Sequence, residues 1–425
     1  MTVSSFIERV LGGNLPIGVE AYDGSSAGDA TSPARLVVRS PRALRRFIHS
    51  PGELGLARAY VAGDVDFEGD LFALLAIQDR AEHIAVRPAL LAEGARLAGR
   101  DAWRPLPPPP EEIRLGGRRH SSERDAAAIA HHYDLSNAFY RILLGPSMTY
   151  SCAVFNSSAE SLEQAQANKH DLICRKLGLG SGARLLDVGC GWGSFAAYAA
   201  THYGVSAVGV TVSRRQYEYA QERIMAAGLG GRVEVQLKDY RDVTGGPFDA
   251  ISSIGMFEHV GLAKTGLYMR KLHSLLTPGG RLLNHAISTP GTLPLTALQR
   301  FAARRSFIQR YVFPDGELLD VGRLVTMAQT EGLEARHIET LREHYALTLR
   351  RWLANLEAQW GEAVAEVGMG RARVWRLYLA GSAVSFEQHS IGVHQILAVN
   401  TPADGRSGLS LRPAWEQPKP FVHQR

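Results

Sequence analysis

Short apolar runs alternate with polar, helix-like segments between residues 183 and 288. Five of the runs have the length and composition of buried strands, and they read "ARLLDVG", "SAVGVTV", "RVEVQLKD", "FDAISSIG" and "RLLNHAIS". The segment "SRRQYEYAQERIMAAG" has helical spacing, and Ser213 at its start is a suitable N-cap. Because strands and helices alternate in this way, we predict an α/β fold with a doubly wound, mainly parallel, Rossmann-like sheet.

Other patterns flank this region. Residues 1–102 mix short helix-like stretches with Gly and Asp turns, which is typical of a small α+β domain. The proline run in "WRPLPPPPEE" stiffens the chain, so we predict a linker at 103–124 and the main domain at 125–400. The alternation of strands and helices is interrupted at about 289–320 by a segment rich in Phe, Arg and Tyr, which predicts a lid-like insertion over the mouth of the active site. Residues 401–425 are polar and rich in Pro, which predicts a loosely held tail.

Composition narrows the class of protein. A chain of 425 residues with 45% hydrophobic and 21% charged residues buries a large core. Its net charge of +5, without a long basic run, argues against a dedicated nucleic-acid binder. Three cysteines without a zinc-ligand spacing indicate a reducing compartment and no metal site. No apolar run approaches the roughly 18 residues of a membrane span, and charges interrupt the N-terminal segment where a signal peptide has its apolar core. We expect a cytoplasmic protein, soluble or peripheral to a membrane.

Glycines and polar residues follow the first three predicted strands at one edge of the sheet. They are Asp187, Gly189, Gly191, Gly193, Thr211, Gln216, Asp239 and Tyr240. The glycines have the form D-x-G-x-G-x-G, which suits S-adenosylmethionine, whereas the dinucleotide fingerprint is G-x-G-x-x-G. The second strand ends where ribose hydroxyls would lie. After the third, Asp239 can accept a hydrogen bond from an adenine amino group and Tyr240 can pack on its ring. The alternative for Asp239 is a helix cap.

Seven motifs resemble, in order, those of the cyclopropane-fatty-acyl-phospholipid synthases and their mycolic-acid-modifying relatives. They are "HHYDLSNAFYRILLGPSMTYSCAVF", "DVGCGWGSFA", "GVTVSRRQ", "KDYRDV", "SIGMFEHVG", "FIQRYVFPDGEL" and "HYALTLRRWLANLE". The resemblance implies an S-adenosylmethionine-dependent methyltransferase that acts on the cis double bond of unsaturated acyl chains in membrane phospholipids and gives cyclopropane chains. It also implies an N-terminal domain that engages lipid, and a peripheral position at the inner face of the membrane.

The same resemblance assigns individual residues. Tyr150 and Ser151 match family residues near the methionine part of the cofactor. In the family a bicarbonate ion serves as bound base, and the positions that hold it are occupied here by the expected residue types. They are Cys152, Glu258, His285, Ile287 and Tyr345.

This set suits the chemistry of an alkene. An alkene needs no general base to attack a sulfonium methyl group, but the resulting carbocation must lose a proton before the ring closes. A carboxylate that touches the cation directly is open to alkylation, so Glu258 and His285 would position the ion and not react themselves. Aromatic rings such as Tyr345 and Phe257 can stabilise the cation.

The fate of the cation stays open. Several positions that we place along the lipid side depart from the family pattern: Val154, Asn284, Asp315, Leu319 and Asp320. If the cation shifts by one carbon before it loses a proton, the product is a methylene-branched chain, the precursor of a methyl-branched one. Ring closure is the preferred alternative.

Two further classes of function are considered. A methyltransferase for nucleic acids or small molecules is disfavoured because the chain lacks a D/N-P-P-Y motif. A lipid-binding protein without turnover is disfavoured because it has no use for the intact set Cys152, Glu258, His285 and Tyr345. We treat His259, His344 and His394 as core or surface histidines outside the site. A homodimer and a downstream reductase both stay open.

Overall fold

The computed structural model describes residues 1–76, 88–113, 116, 124, 135–291, 306–314, 316–413 and 415. The chain divides into two compact units, each built from three separate segments. The first unit comprises Met1–Leu115, Pro294–Pro314 and Leu356–Val384, and the second comprises Gly116–Leu293, Asp315–Asn355 and Ser385–Arg425.

Helices and strands occur in both units. The helices, in chain order, are α1 Val3–Val10, α2 Pro41–His49, α3 Glu53–Val61, α4 Leu71–Leu75, α5 Pro88–Ala98, α6 Asn137–Leu144, α7 Leu162–Leu177, α8 Ser194–Tyr203, α9 Arg214–Ala226, α10 Thr265–Ser274, α11 Phe307–Tyr311, α12 Val321–Thr330, α13 Arg342–Ala358, α14 Trp360–Val367 and α15 Met369–Glu387. The strands are β1 Gly18–Ala21, β2 Ser26–Gly28, β3 Ala34–Val38, β4 Val65–Gly69, β5 Arg184–Val188, β6 Ser206–Thr211, β7 Val233–Leu237, β8 Phe248–Ile254, β9 Leu276–Thr289, β10 Leu319–Asp320, β11 Glu334–Thr340 and β12 Gly392–Val399.

The first unit contains a small four-stranded sheet in the order β2-β1-β3-β4. The β1–β3 pair is parallel and the other two pairs are antiparallel. Alternate residues of β3 are buried, as expected for a strand with one face on a core: Ala34, Leu36 and Val38. This mixed sheet and its helices form the small α+β unit that the N-terminal sequence predicts.

The first unit differs from the predicted domain in its boundaries. The described start of the predicted linker is anchored to it, because Arg58 donates two hydrogen bonds of 2.6 and 2.7 Å to the buried carboxylate of Glu112. The backbone N–H of Ile113 also donates to the carbonyl of Arg310 at 2.7 Å. The predicted main domain was continuous over 125–400, whereas two of its segments belong to the first unit. Long-range contacts of this kind leave no local signal in the sequence.

The second unit contains the large sheet, in the order β11-β12-β9-β8-β5-β6-β7, with β10 paired to β9. The β9-β8-β5-β6-β7 portion is parallel throughout, and β12 and β11 add two antiparallel pairs at one side. The prediction of a doubly wound, mainly parallel sheet is confirmed.

Helices cover both faces of this sheet. Neighbouring strand residues point to opposite faces, so Leu185 packs with helices α7, α8 and α9, whereas Leu186 packs with α10 and α12. Leu282 and Leu283 of β9 alternate in the same way. Burial on both faces explains why the strands read as continuous apolar runs.

Two further predictions concern the insertion and the tail. Residues 292–305 of the predicted insertion lie outside the described residues, as does Asp315, and its residues 306–314 belong to the first unit. The predicted tail is held at Trp415. The indole of Trp415 is buried and lies 5.2 Å from the ring of His337, and its carbonyl accepts a hydrogen bond from Arg175.

No helix in the described part of the chain is long and apolar enough to cross a membrane.

Candidate active site and cofactor cavity

A cavity opens at the carboxyl ends of the parallel strands β5, β6, β7 and β8, where a doubly wound sheet binds its ligand. All but one of the residues predicted to hold S-adenosylmethionine form its wall: Tyr150, Ser151, Asp187, Gly189, Gly191, Thr211, Gln216, Asp239 and Tyr240. The exception is Gly193. The structure therefore brings together residues that the sequence separates by ninety positions, from 150 to 240.

The three glycines of the loop have different positions. All have positive φ, at 76° for Gly189, 56° for Gly191 and 75° for Gly193, a backbone region that favours glycine. A Cβ on Gly193 would lie 3.2 Å from the Cβ of Ala220, so this glycine begins α8 and lets α9 approach. The sequence assigned Gly193 to the cofactor, whereas its described neighbours are those of a packing glycine.

The ends of β6 and β7 are preorganised by local hydrogen bonds. Thr211 Oγ1 donates to Gln216 Oε1 at 2.8 Å. Asp239 caps a short 3-10 helix by accepting from the N–H of Arg241 at 2.9 Å, and its carboxylate also accepts from that guanidinium. Burial raises the pKa of Asp239, but the hydrogen bonds from Arg241 outweigh it and lower the pKa overall. Asp239 thus caps a helix, as the alternative interpretation has it, and also lines the cavity, while its hydrogen bond to an adenine amino group stays a prediction.

A buried lysine in the cavity wall was missed by the sequence analysis. Lys169 is 1% exposed, and its Nζ donates to Ser151 Oγ at 3.0 Å. Burial lowers the pKa of Lys169 to about 7, and Cys152 and Asp187 oppose this shift. Burial raises the pKa of Asp187 to about 6, although Ser252 Oγ donates to its carboxylate at 2.7 Å. The cavity thus holds an acid and a base whose charges are both disfavoured by burial.

The signal for Lys169 was its position on α7. Its helical neighbours Ala165, Leu172 and Ile173 are all apolar, so the lysine lies on the buried face of the helix. His170 was missed as well. It lines the cavity, and its Nε2 is buried without a hydrogen-bond partner among the described residues.

Glu258 lies in a 3-10 helix, Phe257–His259, just after β8. Its Oε1 accepts a hydrogen bond of 2.7 Å from the backbone N–H of Ile287, which follows on β9. Its Oε2 is buried and has no partner within the part of the chain that the structure describes. Burial raises the pKa of Glu258 to about 7, and the hydrogen bond from Ile287 opposes the shift.

His285 lies on β9, opposite Ile254 of β8 and Gln395 of β12 in the sheet register. Its Nδ1 is 3.2 Å from Nε2 of Gln395, and its own Nε2 is buried without a described partner. Burial lowers the pKa of His285 well below its usual range, so the ring is neutral. Neither His285 nor Glu258 lines the cavity itself, but each has a neighbour that does: Ile254, paired with His285 in the β8–β9 ladder, and His259, which follows Glu258 in the chain.

Cys152 and Tyr345 complete the predicted catalytic set. Cys152 is fully buried, and its Sγ lies 3.2 Å from the carbonyl of Ala153 and 3.6 Å from that of Leu341. Burial raises the pKa of Cys152, which keeps it a thiol. Tyr345 packs its ring 4.6 Å from Phe386 and 6.1 Å from Trp352.

These rings connect to the cavity. Trp352 lies 5.2 Å from Tyr150, a cavity residue. An aromatic row therefore runs from Tyr150 in the cavity wall through Trp352 to Tyr345, the predicted catalytic tyrosine, and on to Phe386.

Comparison of the chain with known proteins identifies its family. The family model for mycolic acid cyclopropane synthetase matches residues 120–396. The chain belongs to this family. It is an S-adenosylmethionine-dependent methyltransferase with a Rossmann-like fold.

Three relatives illustrate the likeness. The chain is 46% identical over 415 residues to a probable fatty acid methyltransferase, Rv3720, of Mycobacterium tuberculosis, covering 95% of this chain and 96% of that protein. It is 32% identical over 370 residues to the cyclopropane-fatty-acyl-phospholipid synthase of Escherichia coli (strain K12), covering 87% and 88%. A crystal structure of mycolic acid cyclopropane synthase CmaA1 with SAH and CTAB has a TM-score of 0.60 and 34% identity, and covers 64% of this chain and 98% of that one.

Most positions that depart from the family pattern have structural roles. Asn284 donates to the hydroxyl of Tyr268 at 3.3 Å in the core, on the strand face opposite His285. Leu319 packs in the same core. Asp320 caps α12 by accepting from the N–H of Arg323 at 3.0 Å. The side chain of Val154 packs against the core on the other sheet face.

The three histidines left outside the site are not equivalent. Nδ1 of His344 accepts a hydrogen bond of 3.1 Å from the backbone N–H of Phe155, and Nδ1 of His394 lies 2.6 Å from Ser288 Oγ. His259 instead lines the cofactor cavity, and burial lowers its pKa to about 4. A neutral ring at this position adds no positive charge next to a sulfonium cofactor.

Proposed function

We propose that this methyltransferase transfers a methyl group from S-adenosylmethionine to the cis double bond of unsaturated acyl chains in membrane phospholipids and gives cyclopropane chains. The observation that carries the proposal is the pair of partnerless buried atoms at the cavity edge, Glu258 Oε2 and His285 Nε2. Buried polar atoms without partners are rare and call for a ligand or a chemical role.

These two atoms fit a bicarbonate ion. The ion has oxygens that accept hydrogen bonds and an O–H that donates one. A neutral His285 protonated at Nε2 can donate to such an oxygen, and the carboxylate of Glu258 can accept from the O–H. Ile287 orients Glu258 through its backbone N–H, and Cys152 and Tyr345 would complete the set. When bound, the ion supplies a base that takes the proton from the new methyl group.

The electrons balance without further reagents. The π pair of the alkene forms the bond to the methyl carbon, and the pair of the broken S–C bond stays on sulfur. Loss of one proton from the new methyl group then releases the C–H pair that closes the three-membered ring onto the cationic carbon. The aromatic row from Tyr150 to Phe386 is suited to stabilise that cation.

The second candidate product is a methylene-branched acyl chain. It is favoured by the name of a further relative, the tuberculostearic acid methyltransferase UfaA1 of Mycobacterium tuberculosis, because tuberculostearic acid is a methyl-branched fatty acid; the chain is 32% identical to it over 394 residues, covering 90% of this chain and 87% of that protein. Both products need the same methyl transfer and the loss of one proton. They differ in a hydride shift: for the branched product a hydride first moves from the methylated carbon to the cationic carbon, and the new methyl group then loses its proton to give a methylene (C=CH₂) double bond.

The experiment uses the purified full chain with S-adenosylmethionine, bicarbonate and vesicles of cis-monounsaturated phospholipid. The released fatty acids are analysed by mass spectrometry and proton NMR. A gain of one CH₂ with upfield ring protons supports the cyclopropane product, and the same gain with vinylidene protons supports the branched one. Vesicles of saturated phospholipid are the matched control. Absence of any gain while the cofactor binds would contradict the proposal.

The choice of acceptor also predicts peripheral membrane contact at the inner face, with lipid engagement by the first unit. Sedimentation with anionic and neutral vesicles at low and high salt tests this part, because electrostatic binding weakens as salt screens it. Equal activity on free fatty acids in the absence of vesicles would argue against a phospholipid acceptor.

A further inference from the structure

A line of buried polar side chains leads away from the imidazole of His285, on the side opposite its partnerless Nε2. Gln395 stands directly across from His285 in the β9–β12 ladder, and its Nε2 is 3.2 Å from Nδ1 of the imidazole. Lys176 of α7 is 0% exposed, and its Nζ donates to Gln395 Oε1 at 2.7 Å. The same ammonium donates to the half-buried carboxylate of Glu339 on β11.

The chemistry of these groups determines which way each one points. An ammonium has three donors and no acceptor, so the atom of Gln395 that faces Lys176 is the carbonyl oxygen. The NH₂ group of the amide must then face the imidazole. Because an amide NH₂ only donates, Nδ1 of His285 accepts, and a neutral ring carries its single proton on Nε2.

The ring stays neutral because of what surrounds it. Burial opposes a positive charge on His285, and the cations Lys169 and Lys176 oppose it further, as does His394. The carboxylate of Glu339 compensates the charge of Lys176 at the outer end of the line. The two tautomers are therefore the relevant states of the imidazole.

We propose that Lys176 and Gln395 are positioning residues that hold His285 as the Nε2–H tautomer, so that a hydrogen-bond donor faces the edge of the cofactor cavity. The role rests on the proposed function, in which an anionic base binds at this edge. With the other tautomer, a nitrogen lone pair would face the same place and repel an anion. Neither residue touches the reacting atoms, and both act through the imidazole.

The test reads the tautomer directly. The full chain is labelled with ring ¹⁵N-histidine, and long-range ¹H–¹⁵N correlation spectra distinguish the protonated from the unprotonated ring nitrogen. The signal of His285 is assigned by its loss in His285→Asn. We expect a protonated Nε2 and an unprotonated Nδ1 in the unaltered protein.

Two variants perturb the line at different points. Lys176→Met removes the donor that orients the amide, and we expect the His285 signals to shift towards the other tautomer. Gln395→Glu keeps the size and the pairing with Lys176, but its carboxylate can only accept, so Nδ1 becomes protonated. By analogy with residues that orient metal-bound histidines, we expect kcat to fall about tenfold in Lys176→Met while KM for S-adenosylmethionine stays within about twofold.

The matched control is Lys271→Met on α10. Lys271 is partly buried, whereas Lys176 is fully buried, and it also donates a hydrogen bond, of 2.8 Å to the carbonyl of Val243, but no described contact links it to His285. The control leaves the tautomer and kcat unchanged.

The outcomes separate this inference from the proposed function. A protonated Nδ1 in the unaltered protein overturns the inference whether or not the protein is active, and so does an unchanged tautomer in both variants. If the protein transfers no methyl group but has the Nε2–H tautomer and loses it in the variants, the proposed function fails and the positioning role holds. If neither variant folds, the spectrum of the unaltered protein still decides.

Discussion

The substitution Glu258→Gln tests the site most directly, because it keeps the size of the side chain and changes only what its outer atom can do. In the variant Oε1 can still accept from the N–H of Ile287. The second oxygen, which is buried and has no described partner, becomes an NH₂ group that donates and cannot accept. The proposed ion therefore loses the acceptor for its O–H.

The expected loss follows from the strength of a hydrogen bond to a buried charged group. Such a bond contributes about 2 kcal/mol, and applied to the activation free energy this is a loss of about 30-fold in kcat. We expect the Kd for S-adenosylmethionine to stay within about twofold, because Glu258 is not in the cavity wall.

The same change has the opposite effect on stability. Burial raises the pKa of Glu258 from 4.5 to about 7, so between these values the folded protein holds a proton that the unfolded chain releases. The free energy of unfolding therefore falls as pH rises from about 4.5 to 7. Above pH 7 the full loss, about 3 kcal/mol, is present. Glu258→Gln removes this penalty, and we expect the variant to be more stable than the unaltered protein at pH 8 and equally stable near pH 4.5.

The assays are product formation on unsaturated phospholipid vesicles, calorimetry with S-adenosylmethionine, and urea unfolding at both pH values in buffer freed of carbon dioxide. Glu160→Gln is the matched control, since Glu160 also accepts a backbone hydrogen bond, from the N–H of Asn156 at 2.7 Å, but on the exposed surface. Full activity of Glu258→Gln would refute the assignment of the ion site. A variant that is less stable than the unaltered protein at pH 8 would refute the explanation of the raised pKa.

Three further predictions concern the cavity and the core. Lys169→Met should weaken binding of S-adenosylmethionine, as measured by calorimetry. Because burial lowers the pKa of Lys169 to about 7, the substitution should also raise the free energy of unfolding in urea, and more at pH 6 than at pH 10. Gly193→Ala should lower the free energy of unfolding by about 1–2 kcal/mol, as measured by urea unfolding, because its φ is positive and Ala220 is close. Trp415→Ala should lower the free energy of unfolding by about 3 kcal/mol, because the packing on His337 is lost. An unchanged urea midpoint would show that the tail is not held.

The sheet and its cofactor edge could be predicted because their signals are local. A strand covered by helices on both faces must be apolar throughout, so β5, β6 and β8 are visible as runs. The carboxyl ends of parallel strands meet at one edge, so the positions of Asp187, Thr211 and Asp239 at strand ends were enough to group them at the cofactor.

The remaining features depend on contacts between distant parts of the chain. Lys169 is a cavity residue only because α7 packs against β9 and α8, and the register that sets Gln395 opposite His285 joins strands more than a hundred residues apart. Segments 294–314 and 356–384 join the first unit in the same way. Periodicity within a helix or strand tells which face is buried, but not which element will cover it.

Burial moves the ionisable groups around this site towards their neutral forms. The pKa of Glu258 rises to about 7 and that of Cys152 rises as well, whereas the pKa of His259 falls to about 4 and that of His285 falls as well. Each shift favours the neutral form of the group. A reaction that passes through a carbocation benefits from such surroundings, because a neutral thiol or imidazole next to the cation competes poorly as a nucleophile and adds no positive charge. In the proposed function, the base is therefore brought in with its own charge, as a small ion held between one donor and one acceptor. In the proposed tautomer His285 is that donor, so the side chains behind the imidazole would matter for the chemistry even though they never reach the substrate.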